Sequence, residues 1–438
     1  MHRDTQNVRR RRRVASVVAA TLALSGPVAA CAGTQEPTGT SDWIAANASA
    51  VTVTSPEGPL DDLAPLRNAI GNAEIVGLGE SVHGAAEELT LKHRALQVLV
   101  EQLGFRSVAW EEDWTTGRRI NDYLLTGAGD PDELVRRMSS QWQSREVVEV
   151  LRWLHDFNRD RTDKVQFMGV EYYLTGLESY DDVEAQVAAA APEQLPEARQ
   201  HLQAIRPASA DIIAHIQAYS ASPDKEPFLR HARALYNLVR DLPNKENDRD
   251  HAMAVHTARQ ILSFYEHFAL PEADSHAYRD AHAAENLMWW RQLTGDKIAY
   301  WAASPHTANA PQLRISASED GEIQFPSAGS HLRQEYGERY LSIGFMFDHG
   351  RVGFGGGEPV DAPKPAEGWF EQPLGQVPLE QFVLDLRAPA PSSVREWLDA
   401  PIVTRGPMGP NSTCQGGSAS QWFDVVVHGQ EVTPASAA

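Results

Sequence analysis

Ala73-Glu74-Ile75-Val76-Gly77-Leu78-Gly79-Glu80-Ser81-Val82-His83-Gly84 is the stretch on which the reading of this chain turns. Its first six residues form a short apolar run suited to a buried strand. Glu87 to Leu103 then sets Leu89, Leu96, Leu99, Val100 and Leu103 at helical spacing before Gly104 ends the pattern. Arg106-Ser107-Val108-Ala109-Trp110 reads as a second strand. Strand, loop, long helix and strand are the parts of a parallel crossover. The same signal returns at Val165 to Val170, Lys297 to Trp301, Tyr340 to Phe347 and Phe423 to Val427. The expected fold is therefore α/β, a mainly parallel sheet with helices on both faces.

Between the third and fourth strands, from Asp181 to Thr294, strand signals nearly vanish. Val183 to Ala191, Glu193 to Ile205, Ser209 to Tyr219, Pro227 to Leu242, Asp248 to Phe268 and Tyr278 to Leu293 all suit helices. This is too long for a simple crossover and predicts an inserted helical subdomain over 181–294, placed to wall or lid a cleft. The α/β core is then split into 43–180 and 295–435.

The amino terminus carries its own message. Arg3 and Arg9 to Arg13 precede an apolar run from Val14 to about Gly26, and Pro27-Val28-Ala29-Ala30 leads to Cys31. That order predicts an export signal over 1–30. Val28-Ala29-Ala30-Cys31 resembles a bacterial lipobox, which implies lipidation of Cys31 and a tether over 31–42; the alternative is plain secretion. The expected location is extracytoplasmic, on a cell-membrane lipid anchor or free. Membrane contact is expected only through that anchor.

The 438 residues include 39 Lys plus Arg and 59 Asp plus Glu, a net charge of -20. Removing residues 1–30, with six arginines and Asp4, leaves -25. So acidic a domain lacks the clustered cations that grip phosphate backbones, which excludes nucleic acid as a partner and favours a neutral or cationic substrate. Cys31 and Cys414 are the two cysteines, too few for a disulfide framework or a CxxC metal site. Cys414 falls in the Gly, Pro and Ser-rich stretch Gly406 to Ser420, expected to be a surface loop.

In parallel α/β sheets, ligands bind beyond the carboxyl ends of the strands. Glu80 and His83 follow the first strand, Glu111-Glu112-Asp113 the second, Glu171 the third and His306 the fourth. Each has an ordinary explanation beside the functional one: Glu80 as an acid favoured at a helix N-terminus, one of the acidic triplet as a solvated carboxylate, His83 as a loop histidine. A histidine there also suits a general base. Lys92, nine residues beyond His83, reads as a solvated helix lysine. Gly353-Phe354-Gly355-Gly356-Gly357 lacks the Lys-Ser/Thr of a phosphate loop and reads as a turn. No Gly-x-Ser-x-Gly elbow, dinucleotide fingerprint or His-Glu-x-x-His helix occurs. Two histidines and several carboxylates suit either a metal site on Glu80, His83, Glu111 and His306, or direct activation of water by His83.

At these residues the chain resembles the erythromycin esterase family, over about Ile75 to Pro434. The resemblance is carried by Gly77 to Gly84 with Glu88, Lys92 and Arg94, by Val108-Ala109-Trp110-Glu111, by Phe167 to Glu171, and by Arg279-Asp280 with Ala284-Glu285-Asn286. Tyr300-Trp301-Ala302, Leu384 to Arg387, Phe423 to His428 and Thr433-Pro434-Ala435 continue it. It implies a hydrolase, without a cofactor or a serine nucleophile, that opens a carboxylic ester or macrolide lactone with water, an activity that confers macrolide resistance. In that reading His83 is the base, Glu80 and Glu111 orient it, and His306 shares the catalytic site. Lys92, Glu171, Arg279 and Glu285 then meet the substrate. Trp301-Ala302-Ala303-Ser304-Pro305-His306 departs from the family's Trp-Ala-His-Asn-x-His, losing one of two histidines at Ala303. That loss also suits a non-catalytic ligand-binding lipoprotein.

Overall fold

Thirteen strands form among the described residues of the computed structural model, which are 39–245, 248–317, 321–353, 357–409 and 412–438. In chain order they are β1 (Ser49–Ala50), β2 (Ile75–Glu80), β3 (Ser107–Asp113), β4 (Gln166–Glu171), β5 (Ile298–Ala303), β6 (Leu313–Ala317), β7 (Gly321–Phe325), β8 (Tyr340–Val352), β9 (Val360–Ala362), β10 (Gln381–Asp385), β11 (Pro401–Arg405), β12 (Thr413–Ser418) and β13 (Val425–Val432). The expected signal peptide, Cys31 and most of the expected tether lie outside the described residues. So does Phe354-Gly355-Gly356 of the glycine-rich turn.

The six strands read from the sequence make up the parallel centre of a nine-stranded sheet, in the order β13-β8-β2-β5-β3-β4. The fold is α/β, and its sheet is mixed at the margins. β10 and β1 extend one edge antiparallel, and β9 pairs antiparallel with the end of β8. On one face, Leu89 and Leu96 of the Ala86–Gln97 helix and Val147 and Leu151 of the Arg145–Asn158 helix share a core with Val76 and Leu78. On the other, Leu287 and Trp290 of the Glu272–Thr294 helix and Leu332 of the Ala328–Tyr336 helix pack on Ile75, Ala109 and Tyr300. Alternate residues of one strand serve opposite faces, as the pleat requires.

Among its described residues, the segment between β4 and β5 holds six α-helices: Leu177–Ala190, Leu195–Ile205, Ile212–Ser220, Glu226–Arg240, Arg249–His267 and Glu272–Thr294. The earlier ones close a separate apolar core around Val183, Leu202, Leu235 and Ile261. A helix at Thr40–Asn47 takes in the last residues of the expected tether, because Trp43 and Ile44 are buried and Trp43 Nε1 donates to the carbonyl of Pro389 at 3.0 Å.

The sequence reading missed a second, four-stranded antiparallel sheet, β11-β12-β6-β7. Its strands are short, and β12 is rich in glycine, which mimics a loop. Cys414 is therefore not on a surface loop. It lies on β12, pairs with Ile315 and is 2% exposed, and burial pushes its thiol far above the usual range. None of the described helices is long and apolar enough to cross a membrane.

Candidate active site

The Gly-x-Gly of the opening stretch lets a neighbouring segment approach the central strand. A Cβ on Gly79 would stand 2.2 Å from Thr307 Oγ1 and 2.8 Å from Ser304 Cα, and one on Gly77 would stand 2.9 Å from Thr307 Cβ. The short Ser304–Thr307 helix can lie over β2 because both side chains are absent, and Ser304 Oγ donates to the Gly79 carbonyl at 2.9 Å. This brings His306 over the strand end. Parallel register does the rest: Glu80 pairs with Ala303 and Phe345, Trp110 with Trp301, and Asp113 with Glu171, so the candidate residues leave one end of the sheet together. Gly84, at φ 82°, turns the chain after His83.

Two groups of charges meet there. In the first, His83 Nδ1 stands 3.0 Å from Glu80 Oε1, while Lys92 Nζ donates to Glu80 Oε2. The imidazole also meets Trp142 edge-on at 5.0 Å. Lys92 is not the solvated lysine its charge suggested. Three residues after Leu89 and four before Leu96, it lies on the buried stripe of its helix and is 0% exposed, with Nζ 4.3 Å from the centre of the Trp301 ring. Burial alone would raise the Glu80 carboxyl, but Lys92 and His83 outweigh it and hold Glu80 below the usual range. Burial lowers Lys92.

The second group centres on Glu111. Arg279 donates to its Oε1 at 2.8 Å, His306 Nε2 lies 3.3 Å from the same oxygen, and the Ala303 N–H donates to Oε2 at 2.9 Å. Arg279 Nε also donates to Glu171 at 3.0 Å. Burial opposes ionisation of Glu111, yet His306 and Arg279 hold its carboxyl well below the usual range. Burial raises Glu171 despite Arg279. His306 Nδ1 donates to Asp280, 2.9 and 3.1 Å from its two oxygens. Burial would lower His306, but Asp280 and Glu111 prevail and push it up to about 10.

None of the acidic triplet is solvated. Glu112 accepts from the Ser139 and Asp113 amides, Asp113 caps the Trp114–Thr126 helix by accepting from the Thr115 amide at 2.8 Å, and all three are buried. Glu88, which accepts from Ser81 Oγ at 2.8 Å, is pushed up to about 8 by burial.

A cavity of about 600 Å³ opens over the strand ends. His83, Glu111, Arg279 and His306 form its polar floor, which Ala303 also lines, and Ile315, Ile323 and Phe325 of β6 and β7 form an apolar wall. Glu80, Lys92 and Glu171 stand behind the floor and do not line it. Glu285 does not join the site: it is 61% exposed on its helix, 3.7 Å from His282. Of the helical segment, among the described residues, only His276 and Arg279 of the last helix line the cavity. The apolar wall comes from the unexpected sheet instead. Tyr173, His276 and Gln141 also line it and carried no signal in the sequence. Asp280 did carry one, being on the buried stripe Asp280, Ala283, Ala284 and Leu287 beside Arg279.

One ligand atom each from Glu80, His83 and Glu111 comes within 4.8 Å of the others. These residues do not fit a metal centre. Lys92 holds Glu80, Arg279 and the Ala303 amide hold both oxygens of Glu111, and Asp280 holds His306, so a divalent ion would enter among cations.

The erythromycin esterase family model matches residues 100–432, and the chain belongs to that family. It is 32% identical to erythromycin esterase type II of Escherichia coli over 121 residues, 28% of this chain and 29% of that protein. To erythromycin esterase type I of the same organism it is 24% identical over 308 residues, 64% of this chain and 71% of that one. The match thus spans less than a third of the first relative's length and under three quarters of the second's. A solved structure of the erythromycin esterase EreC in its open conformation is similar in fold, with a TM-score of 0.68 at 18% identity, over 88% of this chain and 98% of that chain.

Proposed function

We propose that this protein is an exported ester hydrolase that opens a carboxylic ester or lactone with water activated by His83. The observation that carries the reading is the line Lys92, Glu80, His83: a buried ammonium fixes a carboxylate, and the carboxylate fixes the ring through Nδ1. In that tautomer Nε2 is the basic nitrogen. It takes a proton from water as the oxygen bonds to the carbonyl carbon, giving a tetrahedral oxyanion. Collapse breaks the carbon–oxygen ester bond, and the alkoxide receives a proton from the cationic side of the floor, where His306 and Arg279 lie. Lys92 does not meet the substrate directly, because it is sealed beneath Glu80 and two tryptophans.

The cavity's volume of about 600 Å³ and its apolar wall suit a bulky ester with a large hydrophobic part, and the relatives' names supply macrolides as the substrate to try. None of the described residues lining the cavity is serine or cysteine, which supports direct attack by water. The arginine-led apolar segment before Cys31 supports export and a lipid anchor. The deciding experiment incubates the protein with macrolides, simpler lactones and acyclic esters, with and without chelator, and follows addition of water by mass. Hydrolysis insensitive to chelator is the expected result. Binding without turnover of any ester would replace this reading with that of a ligand-binding lipoprotein.

A further inference from the structure

Asp280 is a buried carboxylate of this corner that the mechanism has not used. It is 1% exposed and comes from the Glu272–Thr294 helix. Both its oxygens face His306 Nδ1, and its Oδ1 also accepts from the Ala328 amide at 2.8 Å, at the start of the Ala328–Tyr336 helix. A carboxylate at a helix N-terminus is favoured by the dipole and fixed in direction. Three elements thus meet at one carboxyl group, and the one ring they aim is His306.

We propose that Asp280 is a positioning residue, holding His306 as an imidazolium whose Nε2–H rests 3.3 Å from Glu111 Oε1 and is shared between that carboxylate and the oxyanion and departing alkoxide at the cavity floor. The inference rests on the reading of ester hydrolysis given above. A neutral imidazole with its one N–H held at Nδ1 by Asp280 would offer Nε2 only as an acceptor and repel the developing negative charge. With Nδ1–H committed to a charged acceptor, the ring's remaining proton must sit on Nε2. The surroundings agree on the charge. Asp280, Arg279 and His276 face the ring from one helix, Glu111 from β3 and Glu171 from β4, and the Phe325 ring covers it from β7 at 6.4 Å. His276 is lowered by burial. The nearest carboxylates, Asp280 and Glu111, prevail over Arg279 and over burial, in keeping with the value of about 10 for His306. Because Asp280 arrives from the last helix of the segment between β4 and β5, that helix sets the charge of a floor residue as well as lining the cavity.

The test combines histidine titration with kinetics on the purified full chain. Isotope-labelled histidine is followed by NMR without substrate, with His306→Gln used to identify the resonance. His306 should titrate at least ~2 pH units above the ordinary ~6.5 of imidazole. Asp280→Asn keeps an acceptor but removes the charge, and should bring that titration back toward the ordinary range. The alkaline limb of kcat should move down with it, kcat should fall on the order of 10²-fold, and KM should stay within about threefold. Asp280→Glu, which restores the charge at a longer reach, should recover the alkaline limb and only part of kcat. A His306 that titrates normally in the wild type, or that Asp280→Asn leaves unmoved in a folded protein, overturns the proposal. Should Asp280→Asn fail to fold, the wild-type titration and Asp280→Glu decide. If no ester is hydrolysed while the titration shifts as stated, the hydrolase reading falls and the Asp280–His306 pairing stands.

Discussion

His83 and Lys92 show how much one residue carries here. His83→Asn keeps the size of the side chain and removes the base, so hydrolysis should drop by ~10² to 10⁴-fold. Near-normal kcat with an unchanged circular dichroism spectrum would sink the mechanism. Lys92 acts differently, since it never reaches the cavity. Lys92→Met fills a similar volume but strands the Glu80 carboxylate 1% exposed without its cation. Removing one partner of a buried pair costs ~3–5 kcal/mol. A urea midpoint that falls accordingly, together with lost activity, is expected; a variant as stable as the wild type would mean that Glu80 is not ionised in the fold. Both roles were half legible in the sequence. The strand-end position marked His83, whereas Lys92 between Leu89 and Leu96 looked solvated because a lysine on an apolar stripe is read by its charge before its spacing.

At the scale of elements, the decisive contact is the Ser304–Thr307 helix lying on β2. Gly79→Ala places a methyl 2.2 Å from Thr307 Oγ1 and against the Ser304 backbone, which must give way. Overpacking of this kind costs ~1–3 kcal/mol. The predicted signature is a lowered denaturation midpoint with a larger loss of kcat than of binding, because His306 rides on the displaced helix; an unaffected kcat would show that the helix position does not matter to the reaction. Ala303 immediately precedes that helix and is among the residues that line the cavity with Glu111 and His306. A missing donor to an oxyanion costs ~10² to 10³ in kcat, so the wild type should be a weak macrolide esterase and Ala303→His should raise its kcat/KM on macrolides tenfold or more, by about that principle. The Ser304 hydrogen bond to Gly79 holds the backbone on which the new ring would stand. Efficient macrolide turnover by the wild type, unimproved by Ala303→His, would remove Ala303 as a functional loss.

Across the whole molecule, buried titratable groups predict an unusual stability profile. Burial pushes Glu88 and Glu112 up to about 8 and Asp113 to about 7, and Asp280 and Glu111, against burial, push His306 to about 10. The folded state keeps these protons after the unfolded chain has released them, so stability is lost as pH rises from each free value to each folded one. Burial pushes His93, His256 and His428 down to about 3, which has the opposite sense: stability is lost as pH falls below the free value of 6.5. Between about pH 4.5 and 6.5 the two sets oppose each other. Above 6.5 the lowered histidines no longer act, and each raised group contributes ~1.4 kcal/mol per pH unit until its folded value is passed. Thermal melts should therefore give a higher Tm near pH 5.5 than at pH 8, and a Tm that climbs over that interval would contradict the buried, protonated state of Glu88 and Glu112.

The sequence by itself determined the parallel centre of the sheet, the helices between β4 and β5, and the rim where Glu80, His83, Glu111 and His306 gather. Those are local properties: apolar runs, helical spacing, and the rule that parallel strands all end on one side. Only the tertiary structure decided what the charges do. Whether Lys92 is solvated or sealed, whether Glu285 faces the cavity, and which carboxylate holds His306 depend on distances between segments far apart in the chain, such as the 2.9 Å from Asp280 to His306. The four-stranded sheet that walls the cavity belongs with these. Its short strands, one of them glycine-rich, have no pattern of their own, and they become strands only because β6, β7, β11 and β12 find one another across the fold.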